Sequence, residues 1–327
     1  MNSLIAIYVF IVGLCIGSFL NVVILRGLSG ENFIFSRSKC PKCSNQLKWY
    51  MNIPLISYVF LKGRCAYCKE KISVQYPIVE LITGCAFLFS FLEFGLAFKT
   101  VFICIIMSLF ITLSVTDILE TVIIDYHAYI LLGVCLLYSI LGYCDTSIVQ
   151  AVIGAVSAFV LMEIIARSGY LIANYRIFGE GDSLIALGLG AMFGIRDFLI
   201  IFALSMLIQC AVAIPTLIIK AFKNKNIRLG LSYIFVFSSL ICIFLINYFD
   251  TVKNTYTYLG YVILITTALL WSLKNILNSI KNKKELNFEQ AKEKFNLLPF
   301  GPAMIIAGTI GIFYLEQIKI AIKMFLY

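Results

Sequence analysis

The sequence predicts an all-α polytopic membrane protein of about ten transmembrane helices, with one small polar loop inserted after the first. Three observations carry that expectation. Of the 327 residues, 61% are hydrophobic and 13% charged, and the mean hydropathy is +0.97, so the apolar surface exceeds what a soluble core encloses. The apolar residues gather into continuous runs near the length of about 20 that crosses about 30 Å of hydrocarbon. The formal charge of +9 is concentrated in connections that all fall on one side of the membrane when the runs are threaded in order.

The first run, residues 4–25, has no basic residue ahead of it and no small-residue cleavage site after it, which marks a retained helix and not a cleaved signal. A polar segment follows, crowded with Arg26, Arg37, Lys39, Lys42, Lys48, Lys62, Arg64, Lys69 and Lys71. Runs over residues 78–94, 98–115, 126–143 and 148–165 come next, then a short one over 183–193 and another over 198–219. Lys220, Lys223, Lys225 and Arg228 close that group. A hairpin over 231–249 and 256–271 precedes Lys274, Lys281, Lys283, Lys284, Lys292 and Lys294, and a last run covers 298–314. With the N-terminus outside, every basic cluster is cytoplasmic, as the positive-inside tendency requires. The chain then divides into a first helix (1–26), a cytoplasmic loop (27–76), a membrane core (77–226), an inserted hairpin with its basic loop (227–295), and a last helix and tail (296–327). Basic loops this close to a bilayer meet anionic headgroups, so membrane lipid and not nucleic acid is their expected partner.

The loop holds two C-x2-C pairs, Cys40/Cys43 and Cys65/Cys68. One such turn brings two thiolates to a single metal ion and a second completes a tetrahedral shell, for which structural zinc is the natural occupant. A redox pair is the alternative, but a cytosolic location disfavours a stable disulfide, and the spacing occurs twice. A loop of about 50 residues is also short of what folds on its own core, so a metal staple suits it. Cys15, Cys85, Cys104, Cys135, Cys210 and Cys242 lie inside apolar runs and Cys144 at the end of one, where they serve as small packing residues.

Six aspartates occur in the chain. Asp145, Asp197 and Asp250 fall in external turns, whereas Asp117, Asp125 and Asp182 fall at cytoplasmic ends of spans, where a carboxylate is costly and has a task. In FGEGDSLIALGLGAMFG, Gly179 and Gly181 let a backbone approach Asp182 closely. Two carboxylates brought together share a proton: one acts as base toward water while the other, protonated, polarises a peptide carbonyl. That is aspartic proteolysis, though a proton-coupled transporter also uses buried carboxylates. Asp125 is expected to start the helix of the 126–143 run, favoured there by the macrodipole. Glu163 and Arg167, four apart, make an internal pair. Glu80 is open between a partner for a loop lysine and a functional role, and His127, the sole histidine, has no second histidine to share a ligand or catalytic role.

On its motifs the chain resembles the type IV prepilin peptidases, membrane aspartic proteases of the GxGD type. The match runs through GLCIGSFLNVVILR (13–26), RSKCPKC, WYMNIPLISYVFLKGRCAYC and YPIVELITG (76–84), then SVTDILETVIID, FGEGDSLIALGLGAMFG and LLPFGPAMIIAG. It covers most of the chain outside about 227–295. The resemblance implies cleavage of the short basic leader of prepilins or pilin-like proteins at the cytoplasmic face of the inner or cytoplasmic membrane, with Asp117 and Asp182 as the catalytic pair. It also implies zinc on the four cysteines and, in many relatives, methylation of the new N-terminus from S-adenosylmethionine, an activity associated with the N-terminal loop, where Asn21, Arg37 and Glu80 are the polar residues of the matching strings. Substrates in some relatives include competence pseudopilins. The chain departs from the family pattern at Ile124, where proline is usual, at Leu184, where lysine is common, and in its extra hairpin. Among rivals, a transporter would carry an internal repeat, and a noncatalytic assembly protein would leave the GEGD site without a use.

Overall fold

The computed structural model describes residues 2–30, 38–40, 42–144, 146–173, 176, 178–223 and 299–326. The predicted hairpin over 231–249 and 256–271, with Asp250, lies outside the described residues, as do Arg37 and Asp145. Among the described residues the protein is helical apart from two isolated antiparallel bridges, Lys39 with Gln46 and Arg64 with Lys71. The helices are α1 (Asn2–Ser29), α2 (Ile56–Phe60), α3 (Gln75–Phe94), α4 (Phe98–Glu120), α5 (Asp125–Ile140), α6 (Ile148–Ala173), α7 (Glu180–Lys223) and α8 (Gly301–Leu326).

Six of these helices are long and apolar enough to cross a bilayer, and α5 is a shorter apolar helix. The expected count of about ten is therefore not reached by separate helices, and one reason is α7. Its apolar stretch, Glu180–Ile219, is 40 residues, about 60 Å at a rise of 1.5 Å per residue and twice the hydrocarbon thickness. The excess is absorbed at Gly194, whose φ of 70° and ψ of 170° break the helix. A β-carbon placed on Gly311 would lie 3.2 Å from Phe193 Cζ and 2.8 Å from Ile201 Cδ1. In an unbroken helix residues 193 and 201 would stand about 12 Å apart along the axis. Both meet the same glycine of α8, so α7 folds back into two arms that correspond to the runs read over 183–193 and 198–219. Glycine is needed at the turn because that φ is left-handed.

Helices in lipid gain little from apolar burial against one another and associate through close van der Waals packing. Small residues mark those contacts here. A β-carbon on Gly154 of α6 would sit 2.3 Å from the Gly190 carbonyl oxygen of α7, and one on Gly13 of α1 would sit 2.8 Å from Gly84 Cα of α3. The main core gathers Phe110, Leu113, Leu131, Met162, Ile185, Leu189, Phe198 and Met304 from α4 to α8, and a smaller cluster of Leu20, Ile24 and Val79 joins α1 to α3. At the far end of α8, Lys319 pairs with Asp197 at 2.9 Å, so this carboxylate has a partner as well as a turn position. Chain connectivity then gathers the C-terminal ends of α1, α4 and α6 with the N-terminal ends of α3, α5, α7 and α8, on the same side as the cysteine loop.

Candidate active site and metal centre

The cysteine loop is built from two copies of one turn. In the first, Cys40 N–H donates to the Asn45 carbonyl at 3.0 Å and Ser44 N–H to the Cys40 carbonyl at 2.9 Å. In the second, Cys65 N–H donates to Glu70 at 2.8 Å and Lys69 N–H to Cys65 at 3.0 Å. Ser44 and Lys69, each four residues past the first cysteine, both take positive φ, 56° and 61°, which curls each pair back on itself. All four sulfurs lie within 4.8 Å of one another, and Cys40 Sγ is 3.9 Å from Cys68 Sγ. Four ligands at the zinc–sulfur distance of about 2.3 Å place sulfurs about 3.8 Å apart, so the cluster can hold a tetrahedral metal. The backbone N–H groups of Cys68 and Tyr67 draw the Cys65 thiol down to about 7. Cys68, despite the Glu70 N–H that favours its thiolate, is pushed up to about 11 by local desolvation and the neighbouring sulfurs. Thiols this close resist joint ionisation until a cation stands among them.

One buried polar side chain fastens this loop to the membrane helices, and another joins α1 to the first turn of α3. Glu80 of α3 accepts from Leu55 N–H at 2.8 Å, and Asn21 of α1 donates to the Tyr76 carbonyl at 3.1 Å and to Gly17 at 3.3 Å. Two of the three polar residues expected near a methyl-transfer site are thus engaged in structural bonds, Glu80 with the loop and Asn21 with the start of α3; Arg37 lies outside the described residues.

Asp117 stands in the last turn of α4 and Asp182 in the first turn of α7, both buried. They meet at the start of α8. A β-carbon on Gly301 would lie 2.5 Å from Asp117 Oδ2, and the Gly301 backbone and the Asp117 carboxylate both act electrostatically on the Asp182 carboxylate. Gly179 N–H donates to Asp182 Oδ2 at 3.0 Å, which closes the GEGD turn on its own aspartate. Gly181 is required by packing: a β-carbon there would be 2.4 Å from Ile123 Cβ. Asp125 is exposed and opens α5, as expected of a helix-start carboxylate. His127 is buried beside Tyr126, with ring centroids 4.1 Å apart.

Residues beyond those read from the sequence complete the site. Gly301 lies within LLPFGPAMIIAG, whose role as the third wall was not legible. Glu163 does bind Arg167, at 3.0 Å, but it also accepts from Ser183 Oγ at 2.7 Å and pairs with Arg176. Arg176 in turn donates through Nε to the Phe178 carbonyl at 2.8 Å and reaches Glu180 at 3.5 Å. This network ties α6 to the start of α7, which carries Asp182, and its guanidinium acts electrostatically on that carboxylate, in a chain that has Leu184 where the family it resembles commonly has lysine.

The site residues suggest two tests. Gly301→Ala should leave the protein inserted yet lower turnover by about 10²-fold, the scale of a 1 Å misplacement, because the new methyl group displaces the Asp117 carboxylate. Arg176→Gln should reduce kcat more than it raises KM, with Arg176→Lys recovering part; equal kcat in all three proteins would remove Arg176 from the site.

Comparison with known proteins finds the bacterial peptidase A24 N-terminal domain over residues 11–94 and the type IV leader peptidase family over residues 104–214. The chain is 35% identical over 193 residues to a prepilin leader peptidase/N-methyltransferase of Myxococcus xanthus (strain DK1622), covering 58% of this chain and 56% of that one. It is 31% identical over 193 residues to one from Klebsiella pneumoniae (57% of this chain, 84% of the relative) and 31% over 209 residues to one from Vibrio cholerae (61% and 81%). The chain thus spans about half the length of the Myxococcus relative and more than four fifths of the other two. No solved structure matches it.

Proposed function

The chain belongs to the type IV leader peptidase family, and we propose that it is a multi-pass membrane aspartic endopeptidase that removes the basic leader from prepilins or pilin-like proteins, with Asp117 and Asp182 as the catalytic pair. The observation that carries this reading is the meeting of both buried carboxylates around the Gly301 backbone, at the side chain-free opening of α8. One aspartate, ionised, takes a proton from water; the other, protonated, donates to the scissile carbonyl as the tetrahedral intermediate forms. Gly179, where a β-carbon would meet Asp182 Oδ2 at 3.6 Å and no other atom within 4 Å, leaves room for an extended substrate backbone beside that aspartate. With the N-terminus outside, the site opens to the cytoplasm, where a basic leader is retained by the positive-inside tendency.

Zinc on Cys40, Cys43, Cys65 and Cys68 gives the loop its shape and takes no part in hydrolysis, since the four sulfurs fill a tetrahedral shell and leave no open position for water. A second activity, methylation of the new N-terminus from S-adenosylmethionine, is part of the proposal; it is supported by the relatives' names, which include an N-methyltransferase, and by the A24 N-terminal domain match at 11–94, which covers the loop. That cofactor supplies the methyl group; the loop and adjoining helix ends are the part of the chain that would hold it. The test is incubation of the purified protein in detergent with a prepilin-like peptide and labelled S-adenosylmethionine, with mass spectrometry of the products. Leader release with label on the new N-terminus is expected. Complete cleavage with no label would mark a peptidase only, and no cleavage would overturn the proposal. Asp182→Asn should still methylate a precleaved peptide.

A further inference from the structure

The cysteine loop presents a surface that neither the metal cluster nor the aspartates use. Between the two cysteine turns the chain forms a 3-10 turn, Trp49–Asn52, and then α2, held together by Ser57 Oγ donating to the Tyr50 carbonyl at 2.7 Å. Ser57 faces inward and is buried, whereas Trp49, Ile56, Val59 and Phe60 are 81%, 53%, 72% and 83% exposed. Positions 56, 59 and 60 share one face by their helical spacing. Large apolar side chains left this open in a cluster mark an interaction surface.

Two observations identify what covers it. The first is depth. Leu55, just ahead of α2, is bonded to Glu80, and Glu80 lies five residues into α3, which begins at Gln75. At 1.5 Å per residue the Glu80 backbone lies about 7.5 Å from the start of this membrane-crossing helix, and its side chain, tilted toward that start, holds α2 beside the helix end, the level at which interfacial segments lie. Ile78, Leu81 and Ile82 of the same end of α3 are exposed as well, so the lipid-facing surface of the helix bundle continues toward the patch. The second is charge. Lys48, Lys62 and Arg64 flank the patch and are exposed, and Lys48 Nζ stands 5.9 Å from the Tyr50 ring centre. An aromatic and aliphatic face with a cationic rim complements anionic headgroups; a basic leader peptide would be repelled by the same rim.

We propose that residues 49–60 are an interfacial anchor, which lays Trp49, Ile56, Val59 and Phe60 into the leaflet on the side of the active site and sets Lys48, Lys62 and Arg64 on anionic phospholipid headgroups. The anchor holds the cysteine loop at a defined height over the helix ends that carry Asp117 and Asp182. It depends on membrane embedding alone, so it stands or falls separately from the peptidase assignment.

The chain has two tryptophans, so Trp271→Phe leaves Trp49 as the single reporter. The full protein is reconstituted into phosphatidylethanolamine–phosphatidylglycerol bilayers, and Trp49 fluorescence is quenched either by lipids brominated high on the acyl chain or by aqueous iodide. Quenching by bromolipid several-fold stronger than in Val59→Asp/Phe60→Asp protein, weakened when phosphatidylglycerol is replaced by phosphatidylcholine, is the expected result. Iodide quenching equal to that of a free tryptophan amide, with none by bromolipid, overturns the proposal. So does shielding from both quenchers that depends on protein density, which means a second copy, or shielding that appears only on adding a prepilin-like peptide. Should the Trp271→Phe protein fail to insert, a photoactivatable phosphatidylglycerol analogue on the unaltered protein gives the same decision: lipid adducts within residues 49–60 support the anchor, and adducts confined to the other helices reject it.

Discussion

Asp117→Asn and Asp182→Asn should each lower prepilin cleavage by at least about 10³-fold while the protein remains inserted and helical. Asparagine keeps the shape of each side chain but neither takes a proton from water nor donates one from a carboxylic acid, and acid–base groups contribute on the order of 10²–10⁴-fold each. In the proposed mechanism the two carboxylates act as one unit, so the double variant should fall no further than either single one. Asp125→Asn is the contrast: that carboxylate is exposed at the start of α5, so its loss should cost a few tenths of a kcal/mol of helix-end stabilisation and leave turnover near normal. Gel-shift or mass-spectrometric detection of the released leader decides the matter. Near-normal cleavage by either single variant would sink the pair.

Removing the metal should have the second largest effect, and it should be confined to the loop. The purified protein is expected to hold one zinc per chain by elemental analysis, lost with a strong chelator and reduced in Cys65→Ser. Structural zinc in small peptides is bound by about 10–16 kcal/mol at neutral pH, far more than a segment of this size gains from its own core. The amides of Cys40, Ser44, Cys65 and Lys69, whose hydrogen bonds shape the two cysteine turns, should then lose hydrogen-exchange protection by orders of magnitude. Those of α4 and α7 should change little, since their core is formed by helix packing and not by the loop. Metal-free protein with unchanged loop protection would falsify the structural role.

The membrane character, the cysteine pairs and the two aspartates were legible in the sequence because each is a local property: a run of apolar residues, a spacing of thiols, a charge at a span end. The expected start of a helix at Asp125 is seen, and so are both arms of α7, although the chain joins them as one element broken at Gly194. Glu163 shows where local reading stops. Its spacing predicted the Arg167 pair, which forms, yet Ser183 and Arg176 bind the same carboxylate, and only the packing of α6 on α7 brings them there. Glu80 likewise stood undecided until the fold put Leu55 N–H on it. Gly301 was visible as part of a motif but not as the residue both aspartates face, because that contact joins α4, α7 and α8 across long stretches of chain. The sequence by itself determined which chemical groups this protein places at the membrane surface. The tertiary structure alone decided which of them touch, since in lipid the partners of a helix are set by where small residues let two backbones close together, and no single segment records its neighbour.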